Sequence, residues 1–462
     1  MRKLLLTILS VAAFTCLHAQ VDLTATQSVK NLYGNLKEVA WDTKDILFGQ
    51  EFFNSYSWAT GNHEDENFSD CQQVTGQHPG VLGQDFHYYI YKDATEKRKH
   101  KEAALRAYAL GCVVTFDFHM YSKYHNSTDY APGDQYLMYN IGNNIDTYGE
   151  VTWCKSELDK IITVINSDLN IPIVLRLFHE MNGGWFWWGT QAYGGAAAYN
   201  KFYQFASTYI KDRTNNVLFA WSPNYPWNTS YYPGNSYVDV VGLDMYDIGT
   251  SQGPTMDVMV SQLTSVSDFA WTNNKIPVFA ETGNRVDSPD TWAYWWYNVN
   301  EKLQASNRAW KVAWMLTWIN VNWGNVPYVA HNGSSATAKT ALTSFANMST
   351  ILMQPEALSR NMYNTSYLKS ARLYADIDDN GAKKVLIYPN PVSSDLLTVD
   401  LQKLKSIAVN VSITDILGRN IYNKLTKNED LHRISVSELS KGVFFVKISA
   451  EGYNETQKII IQ

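Results

Sequence analysis

Two glutamates stand directly after mostly apolar runs and could share acid–base chemistry. Glu180 follows residues 173–179, and Glu281 follows residues 276–280. Two carboxyl groups held about 5 to 5.5 Å apart can hydrolyse a glycosidic bond with retention, because one protonates the leaving oxygen and the other attacks the anomeric carbon. The sequence therefore offers a candidate catalytic pair, provided that the fold brings the two side chains together.

The segment after Glu180 is rich in aromatic residues. Trp185, Phe186, Trp187 and Trp188 follow one another in a predicted loop that we expect to face solvent. Exposed ring surface of this kind is costly unless a ligand stacks on it, and the apolar faces of sugars do so. The whole chain holds 16 Trp and 30 Tyr, a composition that suits either sugar binding or a large core.

A repeated strand–helix pattern would position these residues. From about residue 39 to residue 349, short apolar runs alternate with stretches typical of helices. The predicted strands are 46–48, 80–86, 112–118, 173–178, 217–221, 238–243, 276–280 and 312–318. Eight such strands predict an α/β fold, a (β/α)8 TIM barrel, whose active site lies at the carboxyl ends of the strands. Both glutamates stand at such ends.

The motif around Glu180 resembles a known family signature. Residues 176–189 read RLFHEMNGGWFWWG, which is similar to the acid/base signature of glycoside hydrolase family 26, and residues 277–283 read PVFAETG, similar to its nucleophile segment. The resemblance covers about residues 39–349. It implies a secreted retaining endo-β-1,4-mannanase acting on mannan, galactomannan or glucomannan, with Glu180 as acid/base, Glu281 as nucleophile, and no metal or organic cofactor.

The same resemblance implies substrate-binding roles for five further residues. His119 would bind the sugar in the subsite of the cleaved residue, and Tyr246 would hold the nucleophile. Trp318 would form the floor beneath the sugar, and Trp185 a platform on the leaving-group side. His179 should bond to the acid or to the sugar.

Three neighbouring positions qualify this expectation. Asp117 and Asp244 share strand parity with His119 and Tyr246, and we expect them to orient or support deeper groups. Many mannanases of the family carry Arg directly after the eighth-strand Trp, whereas Ile319 stands here. The resemblance therefore leaves the distal subsite and the preferred chain length open.

The amino terminus reads as a secretory signal peptide at residues 1–19. Arg2 and Lys3 precede a mostly apolar run, 4–17, and Ala19 is available for cleavage. The run is too short for a stable membrane span, which needs about 20 apolar residues. A lipoprotein anchor at Cys16 is an alternative, although residues 13–15 match the usual lipobox poorly.

The carboxyl terminus changes character after the barrel domain, which we place at residues 20–375. Residues 376–384 are expected to form a linker and residues 385–462 a small all-β sandwich. The linker also resembles the opening of a calcium loop, but Ile387 stands at its twelfth position instead of Glu.

The final 80 residues or so resemble the sorting domain of the type IX secretion pathway of Gram-negative bacteria. The resemblance lies in residues 388–391, 414–419 and 442–447. It implies the type IX machinery as a partner, with export through the periplasm to the cell surface or medium. A carbohydrate-binding module is the alternative, although this tail has no Trp to form a sugar platform.

Composition narrows the remaining alternatives. The formal charge is −6 and no Lys/Arg cluster is flanked by aromatic residues, which disfavours a nucleic-acid partner. Three cysteines would remain after removal of the signal peptide: Cys71, Cys112 and Cys154. Their odd number predicts no disulfide framework. Two other functions stay open: a β-glucanase for mixed-linkage glucan or a β-1,3-xylanase of the same family, and a non-catalytic polysaccharide-binding surface protein.

Overall fold

The computed structural model describes residues 20–124, 130–324 and 326–364. In the tail, the described residues are 385–388, 392, 396–401, 404, 408–415, 418–427, 431–450 and 453–461. The chain divides into two compact units, Met1–Thr365 and Ser366–Gln462. The predicted signal peptide (1–19) and linker (376–384) lie outside the described residues and stay predictions.

The first unit is a closed parallel barrel, which confirms the predicted fold. Its strands are β1 (Ile46–Glu51), β2 (Val81–Asp85), β3 (Val113–Asp117), β4 (Ile173–Arg176), β5 (Val217–Trp221), β6 (Val240–Tyr246), β7 (Ile276–Gly283) and β8 (Trp314–Thr317). Each strand pairs with the next, and β8 pairs with β1 in the register Leu47 to Trp314, so the sheet closes. A further short strand, Ile351–Leu352, lies parallel to β1 and was not predicted.

Helices surround the barrel and alternate with its strands. They are α1 (Gln27–Asp42), α2 (Asp70–Thr75), α3 (Phe86–Ile90), α4 (Ala94–Ala109), α5 (Leu137–Gly142), α6 (Glu150–Thr163), α7 (Gly195–Lys211), α8 (Met256–Thr272), α9 (Trp295–Gln304), α10 (Ala336–Ala346) and α11 (Gln354–Arg360). A π-helical turn, Val164–Leu169, continues α6, and a 3-10 turn spans Thr229–Tyr231. Side chains of Thr26, Asp93 and Thr255 accept backbone N–H bonds at the starts of α1, α4 and α8, which explains why these helices begin there.

Two strands run further than their apolar runs suggested. β6 and β7 stay paired as far as Tyr246 and Gly283, with a register shift after Leu243. Glu281 therefore lies inside β7 and not after it. By contrast, β4 ends at Arg176, so Glu180 lies four residues beyond its strand, in a turn.

The second unit is all-β in its described part, as predicted. It has two antiparallel sheets whose strands are β9 (Leu386–Tyr388), β10 (Leu396–Asp400), β11 (Val409–Asp415), β12 (Asn420–Thr426), β13 (Leu431–Ser435), β14 (Gly442–Ala450) and β15 (Tyr453–Ile461). One sheet has the order β9-β10-β13 and the other β12-β11-β14-β15. Alternate residues such as Val409, Val411 and Ile413 point into a buried core of their own.

Two further properties of the described residues concern the cysteines and the helices. Cys71, Cys112 and Cys154 are free and buried. Within the described residues, none of the helices combines the length and apolar character needed to cross a bilayer.

Candidate active site

The two glutamates line one cavity at the carboxyl ends of the strands. Its volume is about 200 Å³, and its lining comprises His119, His179, Glu180, Phe186, Tyr246, Glu281, Arg285, Trp318 and Tyr328. A second cavity of about 780 Å³ shares Glu180, Tyr246 and Arg285 with the first and adds Trp185. All seven residues predicted for the site thus lie along one continuous cleft, with Glu180 where the two cavities meet.

Glu180 is held in an unusual backbone conformation. Its φ is 54°, in the left-handed region, and Phe178 two residues earlier has a φ of 47°. Such conformations cost about 1–2 kcal/mol per non-glycine residue and are maintained by the surrounding packing. The Glu180 N–H donates to the Ser222 carbonyl at 2.9 Å, and the Phe178 ring packs on Phe202 at 4.1 Å between centroids. This turn aims the Glu180 carboxyl across the barrel mouth.

The environment of Glu180 favours its protonated form. Burial, followed by the negative charge of Glu281, raises the pKa of Glu180 to about 7. The indole N–H of Trp185 donates to Glu180 Oε2 at 2.8 Å and partly offsets this rise. A carboxyl group with this pKa can donate a proton near neutral pH.

Glu281 is buried and fixed through both of its oxygens. The Tyr246 hydroxyl donates to Glu281 Oε2 at 2.7 Å, and Arg176 Nη2 donates to Oε1. The guanidinium of Arg176 also donates to Asp244 at 2.9 Å and to Asp117 at 3.1 Å. These contacts orient the buried carboxylate and offset its charge.

Arg176 is therefore a site residue to which the sequence analysis gave no role. Its signal was present, since a charged residue inside an apolar strand must find partners when it is buried. Asp117 and Asp244 have the supporting position that strand parity suggested, because both accept hydrogen bonds from this guanidinium.

His119 lies two residues beyond β3 and is held by Asp85, a second residue that was missed. His119 Nδ1 lies 2.9 Å from Asp85 Oδ2, and the His119 N–H donates to Asp85 Oδ1 at 3.1 Å. Burial alone would raise the pKa of Asp85, but the charge and hydrogen bond of His119 outweigh it and lower that pKa to about 2. The pair leaves the other ring nitrogen of His119 for a ligand.

The surroundings of His179 are apolar and aromatic, and its expected bond to the acid or to the sugar stays a prediction. Its ring lies 4.8 Å from the His119 ring and 5.1 Å from Phe186, edge to face in both cases. Burial and the charge of Arg176 lower the pKa of His179 well below its usual value, so the ring is neutral. Its Nδ1 is buried and finds no hydrogen-bond partner among the described residues, so no bond from this atom to Glu180 forms.

The prediction that the whole aromatic segment faces solvent is wrong. Trp185 is 44% exposed, whereas Phe186, Trp187 and Trp188 are buried. The indole N–H groups of Trp187 and Trp188 donate to backbone carbonyls at 2.9 Å, so burial leaves no polar atom unsatisfied there. Phe186 stacks on Trp188 at 4.5 Å. These rings form the rigid base of the loop, and Trp185 alone of the four presents a sugar-sized surface.

Three further residues in or beside the cleft, Arg285, Tyr328 and Glu51, were not predicted. Arg285 is clamped by Asp247, with Nε at 2.9 Å and Nη2 at 2.6 Å from Oδ2, and its guanidinium lies 4.6 Å from the Tyr246 ring. Tyr328 lines the smaller cavity. Glu51 is buried in β1, where burial and the charge of Glu281 raise its pKa well above the usual range. No local motif identifies these residues, because their partners lie on distant strands.

Three neighbouring side chains carry atoms of the kind that bind metal ions. Asp117, His119 and His179 each offer one atom, and these atoms lie within 4.8 Å of one another. Asp117 already accepts a hydrogen bond from Arg176, and His119 is engaged with Asp85. A guanidinium beside a cation is repulsive, so this set suits a sugar hydroxyl better than a metal ion. That the chain needs no cofactor stays a prediction.

A barrel that holds two carboxyl groups in one cleft, beside a pair of histidines and an exposed indole, has the groups that a glycosidase uses. The chain belongs to glycosyl hydrolase family 26, whose family model matches residues 21–319. A second model, the secretion system C-terminal sorting domain, matches residues 386–462.

Individual relatives agree with this assignment. A mannan endo-1,4-beta-mannosidase of Bifidobacterium adolescentis is 27% identical over 352 residues, which are 67% of this chain and 33% of the relative. One named mannan endo-1,4-beta-mannosidase A and B, from Caldalkalibacillus mannanilyticus, is 29% identical over 48% of this chain and 45% of its own length. The chain thus spans about a third to less than half of these curated relatives.

Solved structures show the same fold. The catalytic domain of a family 26 endo-beta-1,4-mannanase of Bacillus sp. JAMB-750 superposes with a TM-score of 0.66 at 24% identity, covering 74% of this chain and 96% of that one. A family 26 beta-mannanase of Bacteroides ovatus gives a TM-score of 0.63 at 22% identity, covering 74% and 98%.

Proposed function

We propose that this protein is a retaining endo-β-1,4-mannanase that hydrolyses internal bonds of mannan, galactomannan or glucomannan. The observation that carries the proposal is the pairing, in one cleft, of a carboxyl group with a raised pKa and a carboxylate held by two donors. The names of the curated relatives support mannan as the substrate.

In the first step, protonated Glu180 gives its proton to the glycosidic oxygen as the bond from that oxygen to the anomeric carbon breaks. A carboxylate oxygen of Glu281 forms a bond to the same carbon, giving a covalent glycosyl-enzyme. Arg176 and Tyr246 hold Glu281 in line for this attack. The leaving-group side of the chain would stack on Trp185, and the cleaved residue would lie on Trp318 within reach of His119.

In the second step, Glu180 takes a proton from water, whose oxygen attacks the anomeric carbon while the bond to Glu281 breaks. Formation of the covalent ester removes the charge of Glu281, which is one of the two causes of the raised pKa of Glu180. The pKa of Glu180 therefore falls when the residue must act as a base. Two inversions restore the β configuration.

The carboxyl-terminal unit would deliver the enzyme to its substrate. A sorting domain at residues 386–462 supports export through a type IX system of a Gram-negative bacterium, by way of the periplasm, to the cell surface or the medium. Polysaccharides are too large to enter the cell, so hydrolysis outside it suits an enzyme that cuts internal bonds.

Product analysis tests the substrate. The processed protein is incubated in parallel with linear mannan, galactomannan, mixed-linkage β-glucan and β-1,3-xylan. We expect manno-oligosaccharides of several lengths from the first two polymers. Products from glucan or xylan alone would contradict mannan as the substrate, and binding without any hydrolysis would indicate a non-catalytic polysaccharide-binding protein.

Rescue by azide tests the role of each glutamate. With an activated aryl β-mannoside, Glu281→Ala should be inactive, and azide in the vacated space should yield the α-mannosyl azide. Glu180→Ala should still form the covalent intermediate, and azide should then yield the β-mannosyl azide. The reverse pairing of anomers would exchange the two assignments, and substantial hydrolysis by Glu281→Ala without azide would contradict the nucleophile assignment.

A further inference from the structure

Trp323 is a large aromatic side chain that nothing in the proposed mechanism uses. It is 60% exposed, more than any other tryptophan of the described residues. Its ring meets Tyr56 edge to face, with 5.7 Å between centroids and 79° between planes. Single exposed rings are common on protein surfaces, so exposure by itself indicates no ligand. A ligand is indicated by two other features, the support beneath this ring and the connection of that support with the cleft.

The base under Trp323 is a compact apolar cluster. Phe52, Tyr56, Ile319 and Val321 are buried together, and Tyr88 and Trp318 pack against them. The Phe52 ring lies 5.7 Å from Tyr56, edge to face. Since Tyr56 is buried by the cluster, the contact with Trp323 rests on a fixed surface.

The same cluster connects Trp323 with the catalytic cavity. Trp318 packs on it from one side and lines the smaller cavity, with its ring 6.2 Å from His119. Trp323 follows five residues later, within about 18 Å of Trp318 even for fully extended chain. Both tryptophans therefore contact the same aromatic cluster, Trp318 where it lines the cavity and Trp323 through Tyr56.

Buried hydrogen bonds fix the intervening segment. The Asn320 side chain is buried, donates to Asp70 Oδ2 at 2.6 Å and accepts from the Tyr328 N–H at 2.8 Å. The Trp323 N–H donates to the Val321 carbonyl at 3.1 Å. A platform held in this way loses little conformational entropy when a ring stacks on it.

A sugar bound between Trp318 and Trp323 would receive no hydrogen bond from the side chain of Ile319. Its side chain is buried in the cluster, so this position offers no donor to the substrate. Binding of the chain beyond the cleaved residue must then rely on other groups. An indole suits this purpose, since its face stacks on the apolar face of a pyranose.

We propose that Trp323 is an outer platform for the non-reducing part of the substrate chain and stacks on a pyranose at least two residues from the cleaved bond. This inference rests on the proposed function, because it extends the same cleft. The distal sugar would then be bound by stacking on Trp323, since Ile319 offers it no polar group.

Binding to the inactive Glu281→Ala protein tests the platform. Affinities for manno-oligosaccharides of two to six residues are measured by calorimetry, with and without Trp323→Ala. We expect affinity to rise with length in the parent and Trp323→Ala to bind the longest ligand about tenfold more weakly, the loss of roughly one stacking contact. Trp323→Phe should restore most of the affinity. Trp271→Ala is the matched control, since Trp271 is an exposed tryptophan on α8, packed edge to face on Trp41.

Cleavage positions supply a second readout that a purely structural role would not change. The active enzyme hydrolyses mannohexaose labelled with ¹⁸O at its reducing end, and mass spectrometry of the products identifies which bond was cleaved. Trp323→Ala should shift cleavage toward binding modes with fewer sugars on the non-reducing side. Unchanged affinity together with an unchanged pattern would overturn the platform. If glucan or xylan proves to be the substrate, the same measurements with its oligosaccharides test the platform separately from the mannanase proposal.

Discussion

The burial that makes Glu180 a suitable acid also costs stability. Burial and the charge of Glu281 raise the pKa of Glu180 from its ordinary value of 4.5 to about 7, so the folded carboxyl keeps a proton that the unfolded one releases. The contribution of this group to the free energy of unfolding is therefore most favourable below pH 4.5 and is lost as the pH rises through 7. We expect up to about 3 kcal/mol of this loss to disappear in Glu180→Gln. Urea unfolding at pH 4 and pH 8 measures it, and equal pH dependence in both proteins would contradict the raised pKa.

Trp185 lowers the pKa of Glu180, whereas burial and Glu281 raise it. Its indole donates to Glu180 Oε2, and this hydrogen bond lowers the pKa of Glu180. Trp185→Phe keeps an aromatic ring but removes the donor, so that pKa should rise. We expect the alkaline limb of kcat/KM against pH to move to higher pH, because the acid stays protonated longer. A limb that stays in place or moves to lower pH would show that the bond does not act on the acid.

Arg176 positions the nucleophile through several N–H donors in one plane, which lysine cannot reproduce. Its guanidinium donates at once to Glu281, Asp117 and Asp244, which lie on three strands. Arg176→Lys retains the charge but replaces this planar set of donors by a single ammonium. We expect kcat to fall about 100-fold, as for an active-site misplacement of about 1 Å, with a smaller change in KM. Activity near that of the parent would show that charge alone is sufficient.

At the scale of elements, the loop after β4 depends on one glycine. A Cβ on Gly183 would lie 2.4 Å from the Trp185 ring, whereas one on Gly184 would approach only the flexible end of Gln191, at 3.2 Å. Gly183→Ala must therefore displace the platform that bonds to Glu180. We expect kcat/KM to fall about 10- to 100-fold, while the neighbouring Gly184→Ala stays within about twofold. Similar losses in both variants would point to a general effect on the loop.

The elements also show what the sequence could predict. Seven strands were predicted from clear apolar runs, because strands buried on both faces carry a continuous signal, and the strand at 80–86 was added to complete the barrel. Their ends were less accurate: β7 continues through Glu281 since it stays paired with β6 to Gly283. Glu180 and Glu281 belong to contiguous motifs, whereas Arg176 and Asp85 act through partners that are distant in sequence. The aromatic loop was misjudged because satisfied indole N–H groups allow Trp187 and Trp188 to be buried.

At the scale of the whole molecule, the residues of the cleft and the segment that matches the sorting-domain model belong to separate units. Every residue that lines the two catalytic cavities lies between His119 and Tyr328, within Met1–Thr365. The second unit has its own buried core, which runs from Val385 to Ile461. A domain with its own core can in principle fold alone. The tail is thus expected to determine where the enzyme is found and not what it hydrolyses.

Truncation after residue 365 tests this division. We expect a chain of residues 20–365 to keep kcat/KM on mannan within about twofold of the full chain, because no residue of the cleft is removed. In a host with a type IX system, the same truncation applied to the precursor should leave the enzyme in the periplasm, while the full precursor reaches the medium or the surface. Activity of both cell fractions and medium is measured against the full-length protein. A truncated chain that folds but loses activity would mean that the tail contributes to catalysis, and export without the tail would remove its role in sorting.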